Sequence, residues 1–357
     1  MSLERILKVA VRGNASDIIL KTGSLPRFRY QSELHTLTDG ETITTDLMEQ
    51  WIQDIVPTHL KEKLRLLVDL DFSYESQQSY RFRVNLFRQR GAFGMVLRVV
   101  TNHVRTMEEL QLPPIMHNFV KEKRGLILVT GATGSGKTTT LGSIIEKINQ
   151  SRAAHIVTIE DPIEFIYEEK KATINQREIG IDTESFVGAL RSALRQNPDV
   201  ILVGELRDRE TTETALMAAE TGHLVLSTLH TQDAPESISR LLSYFPPDAH
   251  ATLRLMLSHT LHAIVSQRLL TRIDRKGLVP ALEILLANEL VREQILSGDD
   301  LSTLKDAIRS GHETYGMQSF DQSLMALFKA GIISQEEALA NASNRKDLVL
   351  AMNGIGG

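Results

Sequence analysis

The sequence predicts an α/β protein: a small α+β domain first, then a P-loop domain on a parallel sheet, then C-terminal helices. Three observations predict it. Apolar and polar residues alternate with a period of two through residues 68–74 and again through residues 80–86. From residue 115, short β-rich runs alternate with helical stretches, the pattern of a parallel sheet covered by helices. A glycine-rich turn, GATGSGKT, follows one of those runs and opens a helix.

The elements follow in order. Leu3, Ile6, Leu7, Ala10 and Val11 form one helical stripe opposite charged residues, so the chain opens on an amphipathic helix that packs on its own domain or docks on a membrane. Thr45 is placed as the N-cap of a helix carrying Leu47, Trp51 and Ile55 on one face. Val68, Leu70, Phe72 and Tyr74 alternate with polar residues, as do Tyr80, Phe82, Val84 and Leu86, giving half-buried antiparallel strands that the helix covers. Residues 1–100 therefore form one domain. Residues 101–114, with Pro113-Pro114 and no sustained periodicity, form a linker. Residues 115–285 form the P-loop domain, with strands at Leu126–Val129, Ile156–Ile159, Val200–Val203 and Leu224–Leu226. Residues 286–345 are helical, through Leu290–Leu296 and Ser319–Phe328, and residues 346–357 form a flexible tail.

Composition narrows the function. With 42% hydrophobic and 24% charged residues, the 357-residue chain is an ordinary globular protein, not a disordered one. A net charge of −5 supplies no overall basic field for nucleic acid. Cysteine is absent, which removes disulfides, thiolate catalysis and cysteine-ligated zinc, and fits a cytoplasmic location. The apolar runs are strand-sized and Glu4, Arg5, Lys8 and Arg12 interrupt the N-terminus, so neither direct membrane insertion nor a signal peptide is expected.

The chemistry gathers at the ends of the strands. Gly131, Ala132, Thr133, Gly134, Ser135 and Gly136 form a loop whose backbone N–H groups curl around phosphate oxygens, and the helix that starts beside Lys137, Thr138 and Thr139 adds its positive dipole end. Lys137 is expected to reach the β and γ phosphates of ATP and the Thr138 hydroxyl to hold Mg²⁺. A second strand, Asp199–Val203, ends in Gly204-Glu205. Glu205 is the candidate for the shell of Mg²⁺ and its water, at the place where many such enzymes carry Asp. The loop Glu160-Asp161-Pro162-Ile163-Glu164 puts three carboxylates after another strand, where ligands collect in parallel α/β folds and where a base for water is needed. His223 and His230 flank a short strand, and seven residues apart with no third donor they do not form a metal site. Each is either a hydrogen-bonded structural histidine or, for His230 above all, a sensor of the γ phosphate. Arg81 and Arg83, followed by Arg88 and Arg90, project from the polar side of a strand. They make surface ion pairs or serve as phosphate-seeking fingers toward a neighbouring subunit.

Together GATGSGKT, TIEDPIEF, DVILVGELRD and TGHLVLSTLHT, with RFRVNLFRQRG ahead of them, resemble the Walker A, Asp box, Walker B and His box of the secretion-type ATPases. Their order and spacing are specifically similar to the retraction ATPases of bacterial type IV pili, the PilT/PilU group, from NASDIIL at residue 14 to about residue 345. The resemblance implies a PAS-like N-terminal domain, a RecA-like C-terminal domain and a homo-hexameric ring with ATP between subunits. It implies Glu164 and Glu205 as the main catalytic carboxylates, His223 and His230 as the His-box residues, and Arg81, Arg83 and Arg90 as the arginines of the strand before the linker. The implied work is ATP-driven action on an inner-membrane platform protein that disassembles pilin, at the cytoplasmic side of that membrane. The C-terminal AIRNLIRE-like helix is matched only at Arg292 and Ile295, and Gly316–Leu324 is closer to the PilU paralogues. An accessory retraction motor that works with a paralogous ATPase is therefore an alternative. A pilus extension or type II secretion ATPase is another, and a RecA-like nucleic-acid motor is the alternative of a different class.

Overall fold

The computed structural model describes residues 2–30, 33–65, 69–100, 104–275, 277–298 and 300–354. They divide into two compact units, one comprising Met1–His103 with Glu164–Ile166, the other Val104–Ile163 with Tyr167–Gly357.

In the first unit, α1 (Leu3–Arg12) is capped by the Ser2 hydroxyl and buries Leu3, Ile6, Leu7 and Ala10. Strands β1 (Asp17–Lys21), β2 (Arg27–Tyr30) and β3 (Glu33–Thr36) precede α2 (Thr45–Ile55). The cap of α2 is Thr44 and not Thr45: its hydroxyl accepts from the Leu47 N–H at 3.2 Å. The short α3 (Lys61–Arg65) leads to β4 (Leu70–Glu75), β5 (Arg81–Gln89) and β6 (Ala92–Val100). Val68, expected in β4, lies outside the described residues. All six strands are antiparallel, in the order β3-β2-β1-β6-β5-β4. Phe82, Val84 and Leu86 face a single core with Trp51, Met48 and the α1 stripe. Between β5 and β6 the chain turns through Arg90 and Gly91, both at positive φ (49° and 77°), as a tight hairpin whose turn matches strand twist requires.

In the second unit, residues 104–114 are not a free linker, because Val104, Met107 and Leu112 are buried; residues 101–103 lie outside the described residues. Then come α4 (Met116–Phe119), β7 (Gly125–Thr130), α5 (Lys137–Ser151), β8 (His155–Glu160), β9 (Thr173–Glu178), α6 (Phe186–Ala193), β10 (Val200–Val203), α7 (Arg209–Glu220), β11 (Leu224–Leu229), α8 (Ala234–Ser243), α9 (His250–Thr260), β12 (Leu261–Thr271) and β13 (Leu278–Leu286). They build a seven-stranded sheet, β13-β12-β7-β11-β10-β8-β9. Six strands are parallel and β13 alone runs antiparallel, beside β12. The four expected strands are the adjacent β7, β11, β10 and β8, and every residue of β7, β10 and β11 is buried, as a sheet covered on both faces demands.

The chain closes with α10 (Glu289–Ser297), α11 (Leu304–Ser310), α12 (His312–Tyr315), α13 (Phe320–Lys329), α14 (Gln335–Ala340) and α15 (Arg345–Met352). Ser319 and Gln322 form a reciprocal capping box at the start of α13. Phe320, Leu324, Ile333, Ala338 and Leu348 join Leu270 of β12 and Val279 and Ala281 of β13 in a separate core. The stretch from residue 346, expected as a flexible tail, is thus helical to Met352, because Leu348 is buried there at 2% exposure.

Candidate functional site

The fully buried β7 delivers the glycine-rich loop to the C-terminal edge of the sheet, where α5 begins at Lys137. Gly131, Gly134 and Gly136 all have positive φ (145°, 79° and 87°). At two of them space forbids a side chain as well: a Cβ on Gly131 would lie 2.5 Å from the Gln267 carbonyl oxygen, and one on Gly136 would lie 2.7 Å from Gln267 Nε2. Ala132, Thr133 and Gly134 are exposed, while Thr138 and Thr139 are half-buried in the first turn of α5. Lys137 folds back on the loop, its Nζ donating to the carbonyls of Gly131 (2.8 Å) and Ala132 (2.9 Å). Gly131–Ser135, Gln232, Gln267, Arg268 and Leu269 line a cleft of about 380 Å³.

Glu205 stands just beyond β10. The backbone there is held by Gly204 N–H to the Ile159 carbonyl (2.8 Å), Leu206 N–H to the Thr228 carbonyl (3.1 Å) and the Thr228 hydroxyl to the Gly204 carbonyl (2.7 Å). Since Gly131 N–H also bonds the Leu229 carbonyl, the loop and Glu205 flank the end of β11, two strand spacings or roughly 10 Å apart. One Glu205 oxygen is hydrogen-bonded to Arg207 Nη2, and the other lies 3.4 Å from His230 Nε2. The second Arg207 nitrogen is 3.9 Å from Asp161. Its hydrogen bond to Glu205, with the charges of Glu205 and Asp161, outweighs burial and holds the guanidinium still more firmly protonated. Arg207 was not among the residues expected here; the only sequence signal for it was its place two residues beyond Glu205.

The other expected residues separate. Glu160 is buried under the same sheet edge, accepting from the Thr158 hydroxyl at 2.7 Å. Glu164 is exposed and belongs to the first unit. His223 sits before the first residue of β11, which pairs with Gly125 at the start of β7, so the parallel register sets it at the sheet end remote from the loop of its own chain. There its Nδ1 lies 2.9 Å from the Ala218 carbonyl and closes α7, the contact of a hydrogen-bonded structural histidine. Arg81, Arg83 and Arg90 all lie in the first unit. Arg83 is exposed opposite Arg98, and Arg90 is exposed in the hairpin turn.

A larger cavity of about 580 Å³ contains no P-loop residue and is lined by Asp233, Glu283, Lys305, Arg309, His312 and Asp321 among others. Burial pushes the Glu283 carboxyl up to about 7. The hydrogen bond from Ala234 N–H opposes this, the charge of Asp233 adds to it, and Lys305 and Arg268 oppose it. Among the described residues no helix is long and apolar enough to cross a membrane. No group of three or more histidine or acidic side chains is arranged there to hold a metal without a nucleotide.

The family described as Type II/IV secretion system protein matches residues 1–309. The chain is 40% identical to the type IV pilus retractation ATPase PilT of Pseudomonas aeruginosa, over 96% of this chain and 98% of that one. It is 38% identical to the type IV pilus ATPase PilU of the same organism, over 98% of this chain and 91% of that one. Its fold is similar to a crystal structure of the pilus retraction motor PilT with bound ADP, with a TM-score of 0.89, 40% identity and coverage of 97% of this chain and 98% of that one.

Proposed function

Since the chain belongs to the type II/IV secretion system protein family and is an ATPase of it, we propose that it is a ring-forming motor whose ATP hydrolysis drives retraction of type IV pili. The observation that carries this reading is the P-loop and Glu205 on either side of β11, in a chain that matches pilus retraction ATPases over nearly its whole length. The ring is a homo-hexamer working on an inner-membrane platform protein from the cytoplasmic side.

On ATP binding, Lys137 exchanges the carbonyls of Gly131 and Ala132 for phosphate oxygens, which the exposed loop from Ala132 to Gly134 leaves accessible. The donor set of the Thr138 hydroxyl and the Glu205 carboxylate is all oxygen, which fits a hard cation such as Mg²⁺, held by Glu205 in part through water. When bound, that ion supplies charge neutralisation between the phosphates. Glu205, oriented by Arg207 and His230, positions the attacking water, and His230 senses the phosphate that leaves. Glu164 is the second catalytic carboxylate, and Arg81, Arg83 and Arg90 act toward the phosphates of a neighbouring subunit.

The test is steady-state ATP hydrolysis by the purified oligomer beside Lys137→Ala and Glu205→Ala, with light scattering on each. Turnover by a ring-sized wild type, lost in both variants with the ring intact, is the expected result. A ring that binds ATP without turnover favours instead an accessory motor dependent on a paralogous ATPase, a reading that the similarity to PilU supports. In cells, deletion leaves surplus immobile pili; bald cells would point to an extension ATPase.

A further inference from the structure

Strand β12 carries Ser266, Gln267 and Arg268 in succession, and the alternation of a strand sends Gln267 to the face opposite its two neighbours. Gln267 is 3% exposed, and a buried amide needs both ends satisfied. Its Oε1 accepts from the Thr140 hydroxyl at 2.7 Å and its Nε2 donates to the Ser135 carbonyl at 2.7 Å. The orientation is fixed chemically, because a carbonyl only accepts and the NH₂ end must therefore face Ser135.

These two partners bracket Gly136, Lys137, Thr138 and Thr139, the residues through which the loop becomes a helix. One amide thus closes a clasp across the segment that carries the lysine and the threonine of the phosphate site. The glycines on both sides bear the same imprint: the missing Cβ of Gly136 leaves room for Gln267 Nε2, and that of Gly131 leaves room for the Gln267 carbonyl oxygen. Beside the clasp, the Thr130 hydroxyl donates to the Ser266 hydroxyl at 2.9 Å and ties the last residue of β7 to β12.

We propose that Gln267 is a positioning residue for nucleotide binding, holding the loop and the first turn of α5 in the shape that receives phosphates. It acts through Ser135 and Thr140. The inference rests on reading the loop as a nucleotide site. Without the clasp the loop must be ordered by the nucleotide itself, which weakens affinity while leaving the catalytic groups in place.

The experiment titrates full-length protein with a fluorescent ADP analogue and measures KM and kcat for MgATP in Gln267→Ala, Thr140→Val, Thr140→Ser and the Gln267→Ala/Thr140→Val double variant, with thermal melting of each. We expect Kd and KM to rise about tenfold in Gln267→Ala and severalfold in Thr140→Val, with kcat within about threefold of wild type. Thr140→Ser, which keeps the hydroxyl, restores binding, and the double variant is no weaker than Gln267→Ala because both break one clasp. A folded Gln267→Ala with Kd and KM within twofold of wild type overturns the proposal, as does a double variant whose loss is the product of the two single losses. Should Gln267→Ala not fold, Thr140→Val against Thr140→Ser decides, and equal binding by those two overturns it. A wild type that binds no nucleotide overturns the functional reading as well, whereas unchanged variants beside a binding wild type sink this inference alone.

Discussion

At the scale of single residues, the loop glycines and Glu283 give opposite kinds of test. Gly136→Ala forces a Cβ into Gln267 Nε2 at a residue with φ of 87°, so nucleotide affinity falls by about two orders of magnitude while the fold survives. Analogue titration with circular dichroism checks it, and near-normal affinity would refute the steric argument. Glu283 has a folded pKa of about 7 against an ordinary 4.5, so its contribution to stability is complete below about pH 4.5 and is lost as pH rises through 7. Glu283→Gln removes that loss, of the order of 3 kcal/mol. Melting from pH 4.5 to 8 should show wild type falling relative to the variant up to about pH 7 and level beyond; parallel curves would contradict the shift. The glycines were legible in the sequence because their spacing is local. Gln267 was not, because its partners lie more than a hundred positions earlier and a lone glutamine in a strand has no signature. The place of His223 was hidden for a related reason: a motif records order along the chain, whereas the parallel register decides which end of the sheet a residue occupies.

At the scale of elements, the buried central strands were readable as continuous apolar runs, and β5 was readable from its alternation. β9 (TINQRE) and β12 were not, since one carries a single apolar residue, Ile174, and the other is interrupted by Ser266-Gln267-Arg268. Their place comes from pairing with β8 and β7, which no local pattern records. The expected flexible tail missed α15 because a single buried leucine is too little periodicity to announce a helix. α10 makes a prediction of its own. Arg292 donates from Nη1 to the Ser258 carbonyl and from Nη2 to the Leu261 carbonyl at 3.3 Å, closing the C-terminal end of α9. Arg292→Ala should lower unfolding stability by about 2 kcal/mol in urea, and Arg292→Lys should recover only part of it. An unchanged midpoint in Arg292→Ala would show that α9 closes without it.

At the scale of the whole molecule, the net charge of −5 and the match to secretion-type proteins point away from nucleic acid, so single-stranded or duplex DNA should leave ATP turnover unchanged at low salt. Several-fold stimulation would revive the nucleic-acid motor. The order of fold classes was legible because turn chemistry and periodicity change along the chain, and the mixed character of the second sheet was not, because β13 declares its direction only through its pairing. β12 itself begins at Leu261, whose carbonyl Arg292 holds, and reaches Gln267, which clasps the phosphate loop, about 20 Å away. Its register against β7 shifts between Leu261 and Ala263, and from Ala263 to Ser266 the two strands pair without a break. The helix bearing Arg292 and the phosphate loop therefore share one strand as a common tether, the first held at its beginning and the second at its seventh residue.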